Sequence, residues 1–165
     1  MKVKAPGTAN RQSSIEDGPR VLAVSSGGGH WVQLLRLRPA LEGCPVLFVT
    51  VNKAYRTDVP GERFRCIPDA TRWNKLKLVW MAAKLALIML REWPDVVIST
   101  GAAPGYFAMR LGRLMRAKTI WIDSIANIEQ LSLSGQMVCG KANLVLTQWP
   151  HLAQADAPLY RGSVL

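Results

Sequence analysis

Hydrophobic residues in this chain form short runs, and the segments between them have helical periodicity. The runs predict strands at residues 21–25, 45–50, 64–67, 95–100, 118–123 and 143–147. The intervening segments predict helices at about 30–41, 73–91, 105–116 and 132–139, and a polar loop at 52–61. Strands that are apolar throughout and alternate with helices are typical of a parallel sheet covered on both faces. The pattern therefore predicts an α/β fold with a Rossmann-like parallel sheet and helices on both faces.

Three polar or glycine-rich loops directly follow predicted strands. They lie at residues 25–30, 99–105 and 123–124. In open parallel sheets, ligands bind beyond the carboxyl ends of the strands. The three loops are therefore expected to share one rim of the sheet, and this rim is the predicted functional site.

The first loop is a glycine turn that opens a helix. Glycine lets a ligand approach backbone N–H groups, so Ser26, Gly27, Gly28 and Gly29 are predicted to bind phosphate or hydroxyl groups. The turn lacks the GxGxxG spacing of dinucleotide binders and a Walker lysine, so an ordinary tight turn is an equally open interpretation. His30 could contact the ligand or act as a general base, and it could also only cap and pack the helix.

The other two loops carry hydroxyl and carboxylate groups. Ser99, Thr100 and Gly101 end a strand and open a helix, so they could bind sugar or phosphate, although ordinary N-capping is the commoner role. Asp123 could accept a proton from a hydroxyl group or bind a sugar hydroxyl, with Ser124 beside it. A capping or turn aspartate is the alternative for Asp123.

The segment 78–90 is apolar on nearly all sides of its predicted helix, yet it is too short to span a bilayer. Residues 72–118 include nine basic and two acidic residues, a net of +7 out of the +10 of the whole chain. A basic, apolar surface fits an anionic membrane, and a core helix with a solvated charged flank is the alternative. The predicted membrane-contact residues are Lys75, Lys77, Trp80, Lys84 and Arg91.

Charge and residue composition limit the kinds of partner and cellular compartment that are expected for this chain. A net charge of +10 favours anionic partners, but no zinc-finger, recognition-helix or RNP-like aromatic pattern is present, so nucleic acid is not expected. The three scattered cysteines indicate reduced thiols, and the two isolated histidines indicate no metal site. Residues 1–19 lack the apolar centre of a signal peptide and are predicted to be a flexible polar tail before a single domain at 20–165.

Several short motifs occur in an order that resembles one known family. They are Ser26–His30 with Leu34-Leu35-Arg36, Pro94–Gly101, Asp123-Ser124-Ile125, Leu131–Gly135, Gln148–Pro150 and Tyr160–Gly162. Together they resemble the N-terminal-half subunit of the bipartite GT-B glycosyltransferases that extend lipid-linked saccharides. That family includes the eukaryotic anchor subunit of the dolichyl-diphosphate GlcNAc transferase and bacterial PssD-like exopolysaccharide proteins. Asp123 stands where the family usually has Glu, and Asn127 where it often has Arg.

The resemblance implies one half of an enzyme, equivalent to the N-terminal half of a GT-B glycosyltransferase. A separate C-terminal-half subunit would carry the UDP-sugar site, and this chain would bind a polyprenyl-diphosphate-linked saccharide acceptor and dock on an anionic membrane surface. The implied reaction is an inverting transfer without cofactor or obligatory metal, in polysaccharide or lipid-linked oligosaccharide biosynthesis, with His30 or Asp123 as the base. The expected location is peripheral, on the cytoplasmic side of the cell membrane. A non-catalytic membrane scaffold that only recruits the catalytic partner is the alternative.

Overall fold

A seven-stranded sheet forms the centre of the computed structural model, which describes residues 18–71 and 73–164. Every pair of neighbouring strands is parallel, and the strand order is β3-β2-β1-β4-β5-β6-β7. The strands are β1 (Val21–Val24), β2 (Val46–Thr50), β3 (Arg63–Cys66), β4 (Val96–Ser99), β5 (Lys118–Ile122), β6 (Leu144–Thr147) and β7 (Leu159–Tyr160). Residues 1–17 of the predicted tail at 1–19 lie outside the described residues. The predicted Rossmann-like α/β fold is confirmed.

Four α-helices connect the strands. They are α1 (Gly29–Arg36), α2 (Lys75–Glu92), α3 (Ala102–Leu114) and α4 (Leu133–Val138). The predicted helix at 30–41 is divided: α1 ends at Arg36, and a 3₁₀ helix with Pro39 follows at Arg38–Leu41. Proline has no N–H to donate to the preceding turn, so the α-helical bonding ends before it. The predicted polar loop at 52–61 contains a second 3₁₀ helix, Lys53–Asp58, and a third spans Pro150–Leu152.

The chain reverses its direction across the sheet between β1 and β4. From β1 it proceeds outward through β2 to β3, and it then returns to place β4 on the other side of β1. Such a reversal leaves a crevice outside the carboxyl ends of the two adjacent strands, because the connecting loops diverge there. The loops that follow β1 and β4 therefore flank the crevice, and these are two of the three loops that the sequence singles out.

Two apolar cores cover the two faces of the sheet. On one face α1 contributes Trp31 and Leu34, which pack with Ala23, Phe48 and Ile98 of the strands. On the other face α2, α3 and α4 pack over the remaining strand side chains, which include the fully buried Trp121. Both faces of the central strands are buried, and this explains their continuous hydrophobic runs.

Helix α2 has apolar residues on two sides, one buried in the core and one exposed to solvent. Met81, Leu85 and Met89 are completely buried in the core against the sheet. The opposite side presents exposed apolar residues to solvent, with exposed Lys75, Lys77, Lys84 and Arg91 beside them. We call this side the α2 surface; its apolar residues are Leu76, Val79, Trp80, Leu87 and Leu90. Among the described residues, no helix is long and apolar enough to cross a membrane.

The division of α2 into a core side and an exposed side predicts different costs for the same truncation. Leu85→Ala creates a cavity at a fully buried site and is expected to lower the free energy of unfolding by about 2–5 kcal/mol. Leu87→Ala, half exposed on the same helix, is the matched control with an expected loss below about 1 kcal/mol. Urea unfolding measures both, and equal losses would contradict the orientation of α2.

Candidate active site

Two reciprocal hydrogen bonds join the loops that follow β1 and β4. The His30 Nδ1–H donates to the Thr100 carbonyl oxygen at 2.9 Å, and the Thr100 hydroxyl donates to the His30 carbonyl oxygen at 2.7 Å. A carbonyl oxygen can only accept, so the contact assigns the proton of the neutral imidazole to Nδ1. Nε2 then keeps its lone pair, and it has no hydrogen-bond partner among the residues described. It is a basic nitrogen held in place at the rim of the sheet.

Gly101 lets the β4 loop pack directly against this imidazole. Its φ of +142° is a backbone conformation that residues with a side chain rarely adopt. A Cβ atom at this position would lie 2.4 Å from Cε1 of His30 and 2.5 Å from its Nδ1. Ligand binding by Gly101 stays a prediction, and the structure shows that the missing side chain leaves room for the His30 ring.

The glycine turn before α1 leaves backbone donors open. Gly28, with a φ of +63°, donates its N–H to the Tyr55 hydroxyl at 2.9 Å. The N–H groups of Gly29 and His30 have no partner among the described residues, and no atom lies within 4 Å of a Cβ built on Gly29. These donors lie at the N-terminal end of α1, where the helix dipole favours negative charge. The turn is therefore shaped to receive an anion.

The 3₁₀ helix Lys53–Asp58 supports the glycine turn from the side. The Tyr55 ring stacks on Trp31, with ring centres 5.2 Å apart and an angle of 7° between the planes. The Trp31 indole N–H donates to an Asp58 carboxylate oxygen at 2.8 Å. No sequence pattern indicated Tyr55 or Asp58, because only the folded chain brings residues 27 positions apart together. The aromatic rings fix Tyr55 where its hydroxyl reaches Gly28.

The Asp123 carboxylate lies below the rim, with a residue exposure of 1%. It accepts hydrogen bonds from the Trp121 indole at 3.1 Å and from the Asn127 side-chain amide at 3.1 Å. It also accepts from the Ser132 backbone N–H at 2.8 Å and from the Ser132 hydroxyl. Both carboxylate oxygens therefore have donors, and Ser132 in turn caps α4 by accepting from the Gly135 N–H. The catalytic role of Asp123 stays a prediction, while its contacts link β5 to α4.

The backbone carbonyl oxygen of Asp123 accepts two further hydrogen bonds. It accepts from the Gln33 side-chain amide of α1 at 3.0 Å and from the Gln148 side-chain amide at 2.9 Å. Gln148 also accepts from the Val164 N–H at 2.8 Å. No sequence pattern indicated a role for Gln33, which lies among the apolar positions of its helix, and Gln148 was named only within the Gln148–Pro150 motif of the family resemblance. Through them the third loop is connected to α1, which carries His30.

The predicted serines occupy different depths. Ser99 is fully buried, and its hydroxyl accepts from the Gly101 N–H at 3.2 Å beneath α3. Ser26 is partly buried in the glycine turn, and Ser124 accepts from the Ala126 N–H at 3.3 Å in the third loop. Ligand contacts by these serines and by Thr100 stay predictions. The structure brings the glycine turn together with Thr100 and Gly101, and it places Ser99 below them.

Burial raises the pKa of the Cys139 thiol, and the charge of nearby Asp123 adds to this increase. Within residues 18–71 and 73–164, no group of three histidine, cysteine or acidic side chains is arranged to hold a metal ion. The arrangement is suited to anion binding by N–H groups and to proton transfer at His30.

The buried contacts of Asp123 predict a large effect on stability. In Asp123→Asn an amide group would face the N–H and O–H donors of Trp121, Asn127 and Ser132, so at least one donor loses its acceptor. The free energy of unfolding is expected to fall by about 2–3 kcal/mol. Asp156→Asn, at an exposed position, is the matched control and is expected to change it by less than about 0.5 kcal/mol. Chemical denaturation checks both, and an unchanged stability in Asp123→Asn would show a carboxylate available for another role.

Comparison with known proteins identifies the family. The profile described as "Oligosaccharide biosynthesis protein Alg14 like" matches residues 62–164. A protein of Eremothecium gossypii named "UDP-N-acetylglucosamine transferase subunit ALG14" is 25% identical over 92% of this chain and 83% of its own length. A mouse protein of the same name is 26% identical over 82% of this chain and 77% of its own length.

Solved structures share the fold at low sequence identity. The crystal structure of MurG from Acinetobacter baumannii superposes with a TM-score of 0.70 and 14% identity, over 88% of this chain and 45% of that protein. A UDP-N-acetylglucosamine 2-epimerase from Rickettsia bellii gives a TM-score of 0.66 and 10% identity, over 89% of this chain and 45% of that protein. The chain thus matches about half the length of each of these two solved structures. It belongs to the Alg14-like family of oligosaccharide biosynthesis proteins and is a glycosyltransferase subunit with the Rossmann-like fold of the GT-B enzymes.

Proposed function

We propose that this chain is the acceptor-binding, membrane-docking half of a two-chain glycosyltransferase. The complete enzyme moves a sugar from a UDP-sugar to a polyprenyl-diphosphate-linked saccharide. The observation that carries the proposal is the arrangement of His30, whose Nδ1–H is held by Thr100 while Nε2 remains open beside the glycine turn. This combines a positioned base with an anion-binding turn at the crevice between β1 and β4.

His30 is the proposed general base. In the inverting reaction the acceptor hydroxyl oxygen attacks the anomeric carbon of the donor, and the bond from that carbon to the UDP oxygen breaks. The acceptor proton passes to Nε2 of His30, and UDP leaves with the electron pair of the broken bond. The hydrogen bond from Nδ1–H to Thr100 stabilises the imidazolium that forms, because it remains a donor to a carbonyl oxygen.

The glycine turn is proposed to bind the acceptor diphosphate. The open N–H groups of Gly29 and His30 and the dipole of α1 favour a dianionic group at this point. Ser26 and Ser124 lie in loops on the same rim and are proposed to contact the polar part of the acceptor. The N-terminal end of α1 then provides both the N–H groups that bind the acceptor diphosphate and the imidazole that takes the acceptor proton.

Asp123 is proposed as a positioning residue. Its carboxylate is enclosed by donors from Trp121, Asn127 and Ser132, and its carbonyl group receives Gln33 of α1. A carboxylate at 1% exposure whose two oxygens already accept internal hydrogen bonds is poorly placed to contact a ligand. It is better suited to hold the third loop and α1 in register.

A separate C-terminal-half subunit is the proposed partner, and it supplies the UDP-sugar site. Two observations support this: curated relatives are named as transferase subunits, and the fold corresponds to about half of MurG. The names of the relatives make UDP-N-acetylglucosamine the donor to test first. The crevice at the carboxyl ends of the strands is the face proposed to meet this partner.

The α2 surface is proposed to dock the chain peripherally on the cytoplasmic side of the membrane. Exposed Trp80 and its apolar neighbours suit the interfacial region of a bilayer, and Lys75, Lys77, Lys84 and Arg91 suit anionic headgroups. Each cation near such a surface contributes about 1 kcal/mol of attraction.

The proposed base can be tested in the enzyme reconstituted with its C-terminal-half partner. His30→Ala is expected to lower kcat about 10²- to 10⁴-fold, because the acceptor proton loses its acceptor. His151→Ala is the matched control: this histidine is exposed, contacts the Ile128 carbonyl group, and is expected to leave kcat unchanged. Steady-state rates and co-purification with the partner are measured together. Full activity of His30→Ala in an intact complex would support the non-catalytic scaffold instead.

Membrane docking can be tested by charge reversal on the α2 surface. Changing Lys75, Lys77 and Lys84 together to Glu is expected to weaken binding to vesicles with anionic lipid by about 100-fold or more, since at least three attractive charges are lost. Reversing Arg56, Arg65 and Arg161 makes the same charge change at exposed positions outside α2 and is expected to have a smaller effect. Vesicle co-sedimentation measures both, and equal losses would show that only net charge matters.

A further inference from the structure

An uncharged groove of about 380 Å³ opens between the N-terminal ends of α2, α3 and α4. Its walls include Leu78 of α2, Tyr106 and Phe107 of α3, and Leu133 and Met137 of α4. The two aromatic rings pack edge to face, 5.4 Å apart, and stiffen one wall. None of the described residues that line the groove is charged, although the chain carries a net charge of +10. The volume lies in the range of small-molecule sites, so the groove suits an apolar ligand of modest size.

The inner end of the groove adjoins the candidate active site. Ala102 lines the groove and directly follows Gly101, which packs against the His30 imidazole. Leu133 lines the groove and directly follows Ser132, whose hydroxyl donates to Asp123. Two residues that contact the site, Gly101 and Ser132, are therefore each followed directly by a residue of the groove wall.

The outer end of the groove leads to exposed apolar side chains. Leu133 is 58% exposed and Met137 40% exposed. Leu76, two residues before the groove-lining Leu78, is 86% exposed and belongs to the α2 surface. Residues two apart on an α-helix point to different sides, so Leu76 lies outside the groove, which opens to solvent at the exposed Leu133 and Met137 of α4.

We propose that this groove holds the first isoprene units of the polyprenyl chain of the acceptor, an assignment that rests on the proposed function. A polyprenyl diphosphate has a charged head and an apolar chain that leads into the membrane. The molecule offers the same order: open N–H groups at the glycine turn, then uncharged walls, then the exposed apolar side chains of Leu133 and Met137. Among the described lining residues only Thr71, Ser134 and Tyr106 carry hydroxyl groups, so a saccharide or a nucleotide in the groove would lose most of its hydration without replacement.

A chain-length series on the full-length protein tests the assignment. Isopentenyl, geranyl, farnesyl and geranylgeranyl diphosphate are titrated by calorimetry below their aggregation concentrations, with inorganic pyrophosphate as the head group alone. The affinity is expected to rise about tenfold or more from the shortest to the longest probe, because each added isoprene unit buries more apolar surface. Equal affinities across the series would overturn the proposal.

Variants of the groove wall locate the effect. Ala103→Trp fills the groove and is expected to weaken geranylgeranyl diphosphate binding about tenfold or more, with pyrophosphate binding unchanged. Ala155→Trp places the same side chain at an exposed position elsewhere and is expected to leave both affinities unchanged. Met137→Lys, at a partly exposed wall position, introduces a charge without filling the groove and is expected to weaken the longest probe similarly. Wild-type affinity in both Ala103→Trp and Met137→Lys would overturn the proposal.

The outcomes separate this inference from the proposed function. Pyrophosphate binding with a flat chain-length series overturns the groove assignment and leaves the acceptor-binding proposal standing. Failure of every diphosphate to bind overturns both. A wild-type dimer in analytical ultracentrifugation that Ala103→Trp dissociates, together with a flat series, assigns the groove to a second copy of the chain and overturns the isoprenoid assignment.

Discussion

The paired hydrogen bonds between His30 and Thr100 hold the two loops at the reversal of the sheet in one arrangement. Each residue donates a side-chain hydrogen and accepts with its carbonyl oxygen, so neither loop can shift without breaking two contacts. The same contact decides which imidazole nitrogen carries the proton. Gly101 completes the arrangement, since a side chain at this position would collide with the ring. A structural bond between loops thereby determines the chemistry that His30 offers at the rim.

Asp123 is a second centre of hydrogen bonding, and it differs from His30 in having a partner for each side-chain oxygen. His30 leaves one polar atom open, whereas the Asp123 carboxylate and carbonyl groups are occupied by donors from strand, loop and helix. Burying a carboxylate is costly unless such donors compensate for its lost hydration. Their number explains why this aspartate is tolerated at 1% exposure. A contact through Gln33 connects this centre to α1, so the two centres share one helix.

Helix α2 has two sides with different surroundings. One side of the helix completes the core through Met81, Leu85 and Met89, and the other side exposes leucines, a valine and a tryptophan among cations. The uncharged groove between α2, α3 and α4 begins beside the rim at Ala102 and opens at the exposed Leu133 and Met137 of α4. Together the rim and the groove form a path along which polarity changes in steps, from backbone N–H groups through uncharged walls to exposed apolar side chains.

The amino-acid sequence alone determined the α/β class, the parallel sheet and the loops that form the candidate site. Local patterns suffice for this, because burial on both faces makes a strand such as 95–100 apolar throughout and because glycine before a helix marks a turn. Its motifs also indicated the family. It did not predict the two-residue β7, the 3₁₀ helix under Tyr55 or the break of the first helix at Leu37. Only the tertiary structure showed that α2 has both a buried side and an exposed apolar side, and only it showed the depth of Ser99 and Asp123, the contacts of Gln33 and Gln148, and the open nitrogen of His30. Each of these depends on contacts between residues far apart in the chain, and such contacts leave no periodic signal in the sequence.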